Sequence, residues 1–199
     1  QQSTIIGYQA GYTLTTGDAN TAVGHNALYH NITGNQNTAI GRGAGARFMA
    51  ADSTALGYYA GHYASGSYNT FVGGEAGKGG TTSAPYSSGE YNTALGYQAL
   101  TAFTTGHSNV AVGSGAGDAI TTGYAQVAIG WNALSTEDAG LGSVAVGYGA
   151  LQNQNVDSDS GNVAVGSNAG NASTTAQHNT FLGFRAGAVH TTGGSNIAI

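Results

Sequence analysis

The sequence predicts an all-β protein: a parallel β-solenoid of about eleven coils, mostly 17 residues each. Three observations carry this expectation. Nearly the same nine residues recur, as NTAVGHNAL (20–28), NTAIGRGAG (37–45), NTFVGGEAG (69–77) and NTALGYQAL (92–100). Each copy alternates large and small side chains for three or four residues, then breaks at Gly. The composition also leaves little material for a conventional core. Among 199 residues there are 35 Gly, 1 Pro and 0 Cys. Leu, Ile, Val and Phe make up only about one-sixth of the chain. Such scarcity accompanies disorder when net charge is high, but here the net charge is −5.

The register runs the length of the chain. The motif Gly falls at 7, 24, 41, 57, 73, 96, 113, 130, 147, 166 and 183, and Ala follows three residues after every one. Four residues before the Gly stands Asn, Ser or Gln, as at Asn20, Asn37, Asn92 and Asn109. Thr or Val, then usually Ala, then Val, Ile or Leu lead into the Gly. This alternation predicts a short strand with the larger side chains on one face and Asn and Ala on the other. A second extended piece, such as Thr13–Thr16, is expected before a closing Ser/Thr-Gly turn.

A 17-residue unit is too small to bury its own face, so neighbouring coils must bury it together. Coils about 4.8 Å apart make a rod of roughly 50 Å. The column residues then have physical reasons. Gly24, Gly41, Gly96, Gly113 and Gly130 permit a left-handed or closely approached corner. Ala27, Ala44, Ala99, Ala116 and Ala133 fit where only a methyl group has room. The Asn side chains can hydrogen-bond along the axis as a ladder. A thin coil with Ala and Val inside buries little apolar surface, which gives such rods a motive to pack together, at about 25 cal/mol per Å² buried.

Residues 1–199 read as one repeat domain with two interruptions, a longer one at 78–91 and a minor one at 152–161. The chain opens almost directly in a repeat and stops within one, which suggests a fragment of a longer fibrous protein. Four basic residues cannot form a phosphate-tracking stripe, so nucleic acid is not an expected partner. No apolar run approaches membrane-spanning length, so no membrane insertion is expected.

The columns resemble the head repeats of YadA-like trimeric autotransporter adhesins. They are still more similar to the N-T-A-L/V-G-Y-x-A-L repeats of phage tail fibres. The resemblance rests on NTAVGHNAL, NTALGYQAL, QVAIGWNAL (126–134) and SVAVGYGAL (143–151), and it covers essentially the whole chain. It implies a left-handed β-roll, a homotrimer around a common axis and a role in host attachment. The implied partners are a host-surface glycan or protein receptor and other fibre or tail proteins. The implied location is extracellular, on a virion fibre or alternatively on a bacterial surface. Crossover rules favour right-handed connections, so the left hand comes from the resemblance alone.

Recognition has two candidate locations. The residue after each Gly forms a variable column that includes Tyr58, Tyr97, Trp131 and Tyr148. Such rings can stack on sugars or can pack between coils or protomers. The 78–91 interruption carries the only Pro, the only Lys, Tyr86, Glu90 and Tyr91, and insertions in solenoids map to surface loops.

No catalytic residue, metal or cofactor is expected. Asn153, Asn155, Asp157 and Asp159 alternate as in a Ca²⁺ loop, but Ser160 stands where that signature needs Gly and no bidentate Glu follows. The six His share no ligand spacing. Asn31 and Asn171 begin glycosylation sequons of a kind that Asn/Thr-rich chains form by chance. A glycan depolymerase would need two carboxylates across the scissile bond, and only Glu75, Glu90 and Glu137 supply Glu. An ice-binding face would need alternating Thr, whereas Thr15–Thr16 and its counterparts are adjacent.

Overall fold

A computed structural model describes residues 2–199. Its strands are β1 (Thr4–Ile6), β2 (Thr21–Val23), β3 (Thr38–Ile40), β4 (Thr54–Leu56), β5 (Thr70–Val72) and β6 (Thr93–Leu95). They continue as β7 (Val110–Val112), β8 (Val127–Ile129), β9 (Val144–Val146), β10 (Val163–Val165), β11 (Thr180–Leu182) and β12 (Ile197–Ala198). All are parallel and follow sequence order in one 12-stranded sheet. Register is kept column by column: Thr21 sits between Thr4 and Thr38, and Ala22 between Ile5 and Ala39. The chain is therefore a β-solenoid with one strand per coil.

The strands are short because both flanks are committed elsewhere. On the N-terminal side, the column that runs from Ser3 to Asn196 turns inward as a ladder. Asn37 N–H donates to Asn20 Oδ1 at 2.9 Å, Asn92 N–H to Asn69 Oδ1 at 2.9 Å, and Asn109 N–H to Asn92 Oδ1 at 3.0 Å. Ser53 and Ser143 take the same place with Oγ, accepting from Asn69 and Asn162 at 3.2 Å. The Asn amide also donates to a carbonyl of the next coil, as from Asn20 to Gly34 O and Asn92 to Gly106 O. On the C-terminal side, Gly96 has φ +136, and a Cβ there would lie 2.5 Å from Gly113 O of the next coil. The corner thus demands glycine for its backbone angle and for its spacing.

Three further corners in each coil are left-handed without needing Gly. In the sixth coil they are Tyr91, Gln98 and Leu100, at φ 58°, 56° and 51°. Non-Gly residues there carry strain, and backbone hydrogen bonds between coils hold it: Gln98 N–H donates to Gly74 O and Leu100 N–H to Ala116 O.

Two expectations about the coil need correction. The inward strand face belongs to Ala22, Ala39, Ala55, Ala94, Ala111, Ala128, Ala145 and Ala164, all fully buried. Val, Ile and Leu of the same strands point outward, and Ile40, Leu95, Ile129 and Leu182 are exposed. Alternation was expected, but the interior is so narrow that the methyl column takes it. The second extended piece is a run of turns and bends rather than a strand. Its backbone still bonds between coils, with Thr13 N–H on Tyr29 O and Thr15 N–H on Ile32 O.

Large core residues alternate with space left for them. Leu28, Leu100, Leu134 and Leu151 stand four residues after the motif Gly and fill the centre. Other coils have Gly at that position, and in several of them a ring takes the room instead, with Ile120 doing so beside Gly117. Gly45 lies against Phe48, and Gly77 and Gly187 lie against Phe71 and Phe181. Phe71 and Phe103 then meet at 5.4 Å between ring centroids.

The long interruption is narrower than 78–91. Gly79 and Gly80 still donate to Thr101 O and Phe103 O of the next coil, and Ser87 is back in register beside Ala64. The excursion proper is 81–86, with a cis Ala84–Pro85 bond.

Candidate functional site

The outward strand face comes directly from the repeat. Thr or Val and Val, Ile or Leu side chains stand in register across the strands, half-exposed or exposed along the sheet. This is a largely apolar surface, rich in β-branched side chains, that no other described residue covers.

Beyond the glycine corner stands the variable aromatic column. Tyr58, Tyr97, Trp131 and Tyr148 are all exposed, between 45% and 58%. Parallel strands place equivalent side chains directly above one another, so neighbouring rings stack. Trp131 and Tyr148 lie 4.8 Å apart at 14°, and Tyr8 and His25 lie 5.3 Å apart. The rings pack on each other along the axis and still present open edges and faces to solvent.

The residues expected from the interruption separate. Tyr91 belongs to a regular corner, where it stacks on Tyr68 at 4.9 Å. Glu90 is half-buried and lines a shallow cleft with Tyr91, Thr105 and His107. Only Tyr86 belongs to the excursion, and it folds back over earlier coils. Its ring stacks on Tyr63 at 6.4 Å, and the Arg47 guanidinium lies 5.1 Å from its centroid.

That contact completes a patch that column motifs alone did not reveal. Three of the chain's four cations lie among aromatic rings here, Arg42 and Arg47 in the third coil and Lys78 in the fifth. Arg42 lies 5.9 Å from the Tyr58 centroid and 5.8 Å from Tyr59; Lys78 lies 6.0 Å from Tyr59 and 3.5 Å from Glu75. His62 bridges Tyr59 and Tyr63, each at 4.5 Å. The signal available in the sequence was charge read down the columns one, five and six residues after the Gly.

The remaining candidate groups are occupied. Asp159 faces His178 at 3.5 Å, and Asn153 donates to Asn171 O. Among the described residues, no group of three or more His, Cys, Asp or Glu side chains is placed to hold a metal ion. Asn31 is fully buried and accepts from Gly34 N–H at 2.8 Å, so its sequon is inaccessible in the folded chain. Glu75 is engaged by Lys78 and by the Gln98 amide at 3.0 Å. Glu137 is fully buried, accepting from Gly140 N–H at 2.7 Å and Gln154 Nε2 at 2.6 Å. Burial raises its carboxyl above the usual carboxylate range, and these hydrogen bonds oppose the rise.

In comparisons with known proteins, no family model, no curated protein and no solved structure matches the chain.

Proposed function

We propose that this chain is a segment of an attachment fibre, a rigid homotrimeric rod that presents or spaces a receptor-binding surface outside the cell. The phage tail-fibre form is the first reading and a bacterial adhesin head the alternative. In either form it works by binding rather than by catalysis, alongside other fibre or tail proteins.

One observation carries the reading: the outward strand face. Half-exposed Val, Ile, Leu and Thr side chains line the length of the sheet, in a chain whose own core is mostly alanine. Packing three such faces together would bury them at about 25 cal/mol per Å² of apolar area. The exposed aromatic column lies beyond the glycine corner, where it stays free to meet a receptor. Many weak contacts of that kind add up through avidity along a fibre.

Sedimentation equilibrium tests the assembly. A species of three times the 19.7 kDa chain mass is expected, and Leu95→Asp with Ile129→Asp on the outward face should dissociate it. A wild-type monomer at micromolar concentration refutes the trimer. Binding of the labelled protein to candidate host cells tests attachment, and release of shortened chains from host polysaccharide would instead identify a depolymerase.

A further inference from the structure

We propose that the cleft on the second to fourth coils is a binding site for an acidic saccharide: one sugar ring bearing a carboxylate or a sulfate. The proposal deepens the attachment reading, and it rests on that reading for the biological source of the sugar.

A cleft of about 270 Å³ opens here between coils, lined by Asn26, Tyr29, His30, Arg47 and His62. That volume lies just below the range of small-molecule sites, roughly 300–1,000 Å³, and suits a single small ring. Two polar atoms on its wall are buried without a hydrogen-bond partner: Asn26 Oδ1 and Arg47 Nε. Buried polar atoms in folded proteins are almost always satisfied, so an unpaired acceptor and an unpaired donor on side chains that line one cleft point to a ligand.

The other groups define what that ligand must be. His62 Nδ1 lies 2.7 Å from Gly43 O. A carbonyl only accepts, so Nδ1 holds the proton and Nε2 of the neutral ring is an acceptor. Burial, with the charges of Arg47 and Lys78, favours that neutral ring. The cleft therefore offers a guanidinium donor beside two neutral acceptors, Asn26 Oδ1 and His62 Nε2. One anionic group satisfies the guanidinium, and hydroxyl donors satisfy the acceptors. A second anionic group would face those lone pairs and be repelled. Tyr29 is held by stacking on Tyr12 at 5.2 Å, and Tyr86, itself stacked on Tyr63, lies over the Arg47 guanidinium, so flat apolar faces border the polar groups as sugar rings require. In a chain of net charge −5, one cation lines the cleft and two more, Arg42 and Lys78, lie against Tyr59, the ring neighbour of His62. The 81–86 excursion brings Tyr86 to it, which gives the interruption a task.

The test is titration of the ¹⁵N-labelled chain with four probes: a sialylated trisaccharide, a glucuronate-containing disaccharide, a sulfated disaccharide, and lactose as the neutral control. Shifts of the Asn26, Arg47 and His62 signals are expected with at least one acidic probe and not with lactose, and binding should weaken as salt rises. The carboxylated and sulfated arms identify the anion. Arg47→Ala should weaken binding at least tenfold. Asn26→Asp, which preserves volume and adds a repelling charge, should do the same with the fold intact by circular dichroism. Tyr124→Ala, outside the cleft, should bind as wild type. No acidic probe shifting these signals at 10 mM, lactose binding equally well, or both cleft variants binding normally would overturn the proposal. Cell binding separates it from the attachment reading. Attachment undiminished in both variants sinks this site alone, while saccharide binding without any cell attachment sinks the attachment reading alone.

Discussion

Removing one rung of the axial ladder gives the sharpest test of what holds the coils together. Asn92→Ala deletes an acceptor for Asn109 N–H at 3.0 Å and a donor to Gly106 O at 2.9 Å. Asn92 and Asn109 are fully buried, so water cannot replace either bond. Each orphaned group costs about 1–3 kcal/mol, for a total of about 2–6 kcal/mol. For a chain of this length, a loss of about 4 kcal/mol lowers Tm by roughly 8–16 °C. Asn92→Ser is the internal comparison, because Ser53 already serves as a rung with an Oγ acceptor at 3.2 Å. It keeps the acceptor and loses only the bond to Gly106, so it should cost about half as much. Urea denaturation followed by circular dichroism measures both variants, and amide exchange at Asn109 reports the rung itself. Asn92→Ser as damaging as Asn92→Ala, or Asn92→Ala within about 0.5 kcal/mol of wild type, would refute the ladder as a stabilising element.

Gly113→Ala should destabilise by about 3 kcal/mol or more, since its φ is +130 and the new Cβ would lie 2.5 Å from Gly130 O; Gly142→Ala, at φ +73 with nothing within 4 Å, should cost only about 1–2 kcal/mol. Denaturation midpoints compare the two. The raised carboxyl of Glu137 means that the folded chain binds this proton more tightly than the unfolded chain, whose reference value is 4.5. Its contribution to stability is therefore fully present below about pH 4.5 and is lost as pH rises through the folded value; Glu137→Gln should flatten that part of a Tm-versus-pH curve. Phe71→Ala should cost about 3–5 kcal/mol in the same denaturation assay, because Gly77 leaves a space that nothing else fills.

The solenoid was legible because its constraints repeat. Gly96 and Ala99 sit in columns filled eleven times, and each has one physical reason that holds at every coil. The direction of the strand faces was less legible. Alternation of Thr93, Ala94 and Leu95 is the same whichever side faces inward, and only the narrowness of the closed coil decides. The left-handed corners at Tyr91, Gln98 and Leu100 left no trace, because inter-coil hydrogen bonds override the local preference of those residue types. The basic patch was hidden differently. Arg42, Arg47 and Lys78 look isolated along the chain and converge only when coils of 16 residues are stacked. Of the residues expected in the long interruption, Tyr86 keeps that place, whereas Glu90 and Tyr91 return to the regular coil because Ser87 restores the register.

The ladder also sets how the rod responds to force. Each coil is held to its neighbours by one strand, one rung and a few turn bonds, and those bonds are peeled in sequence when the two ends of a chain are drawn apart. A freed 17-residue coil lengthens the chain by about 60 Å at full extension. Peeled from an end, the rod therefore yields in discrete steps that each absorb work, and the long fifth coil with its 81–86 excursion gives the largest step.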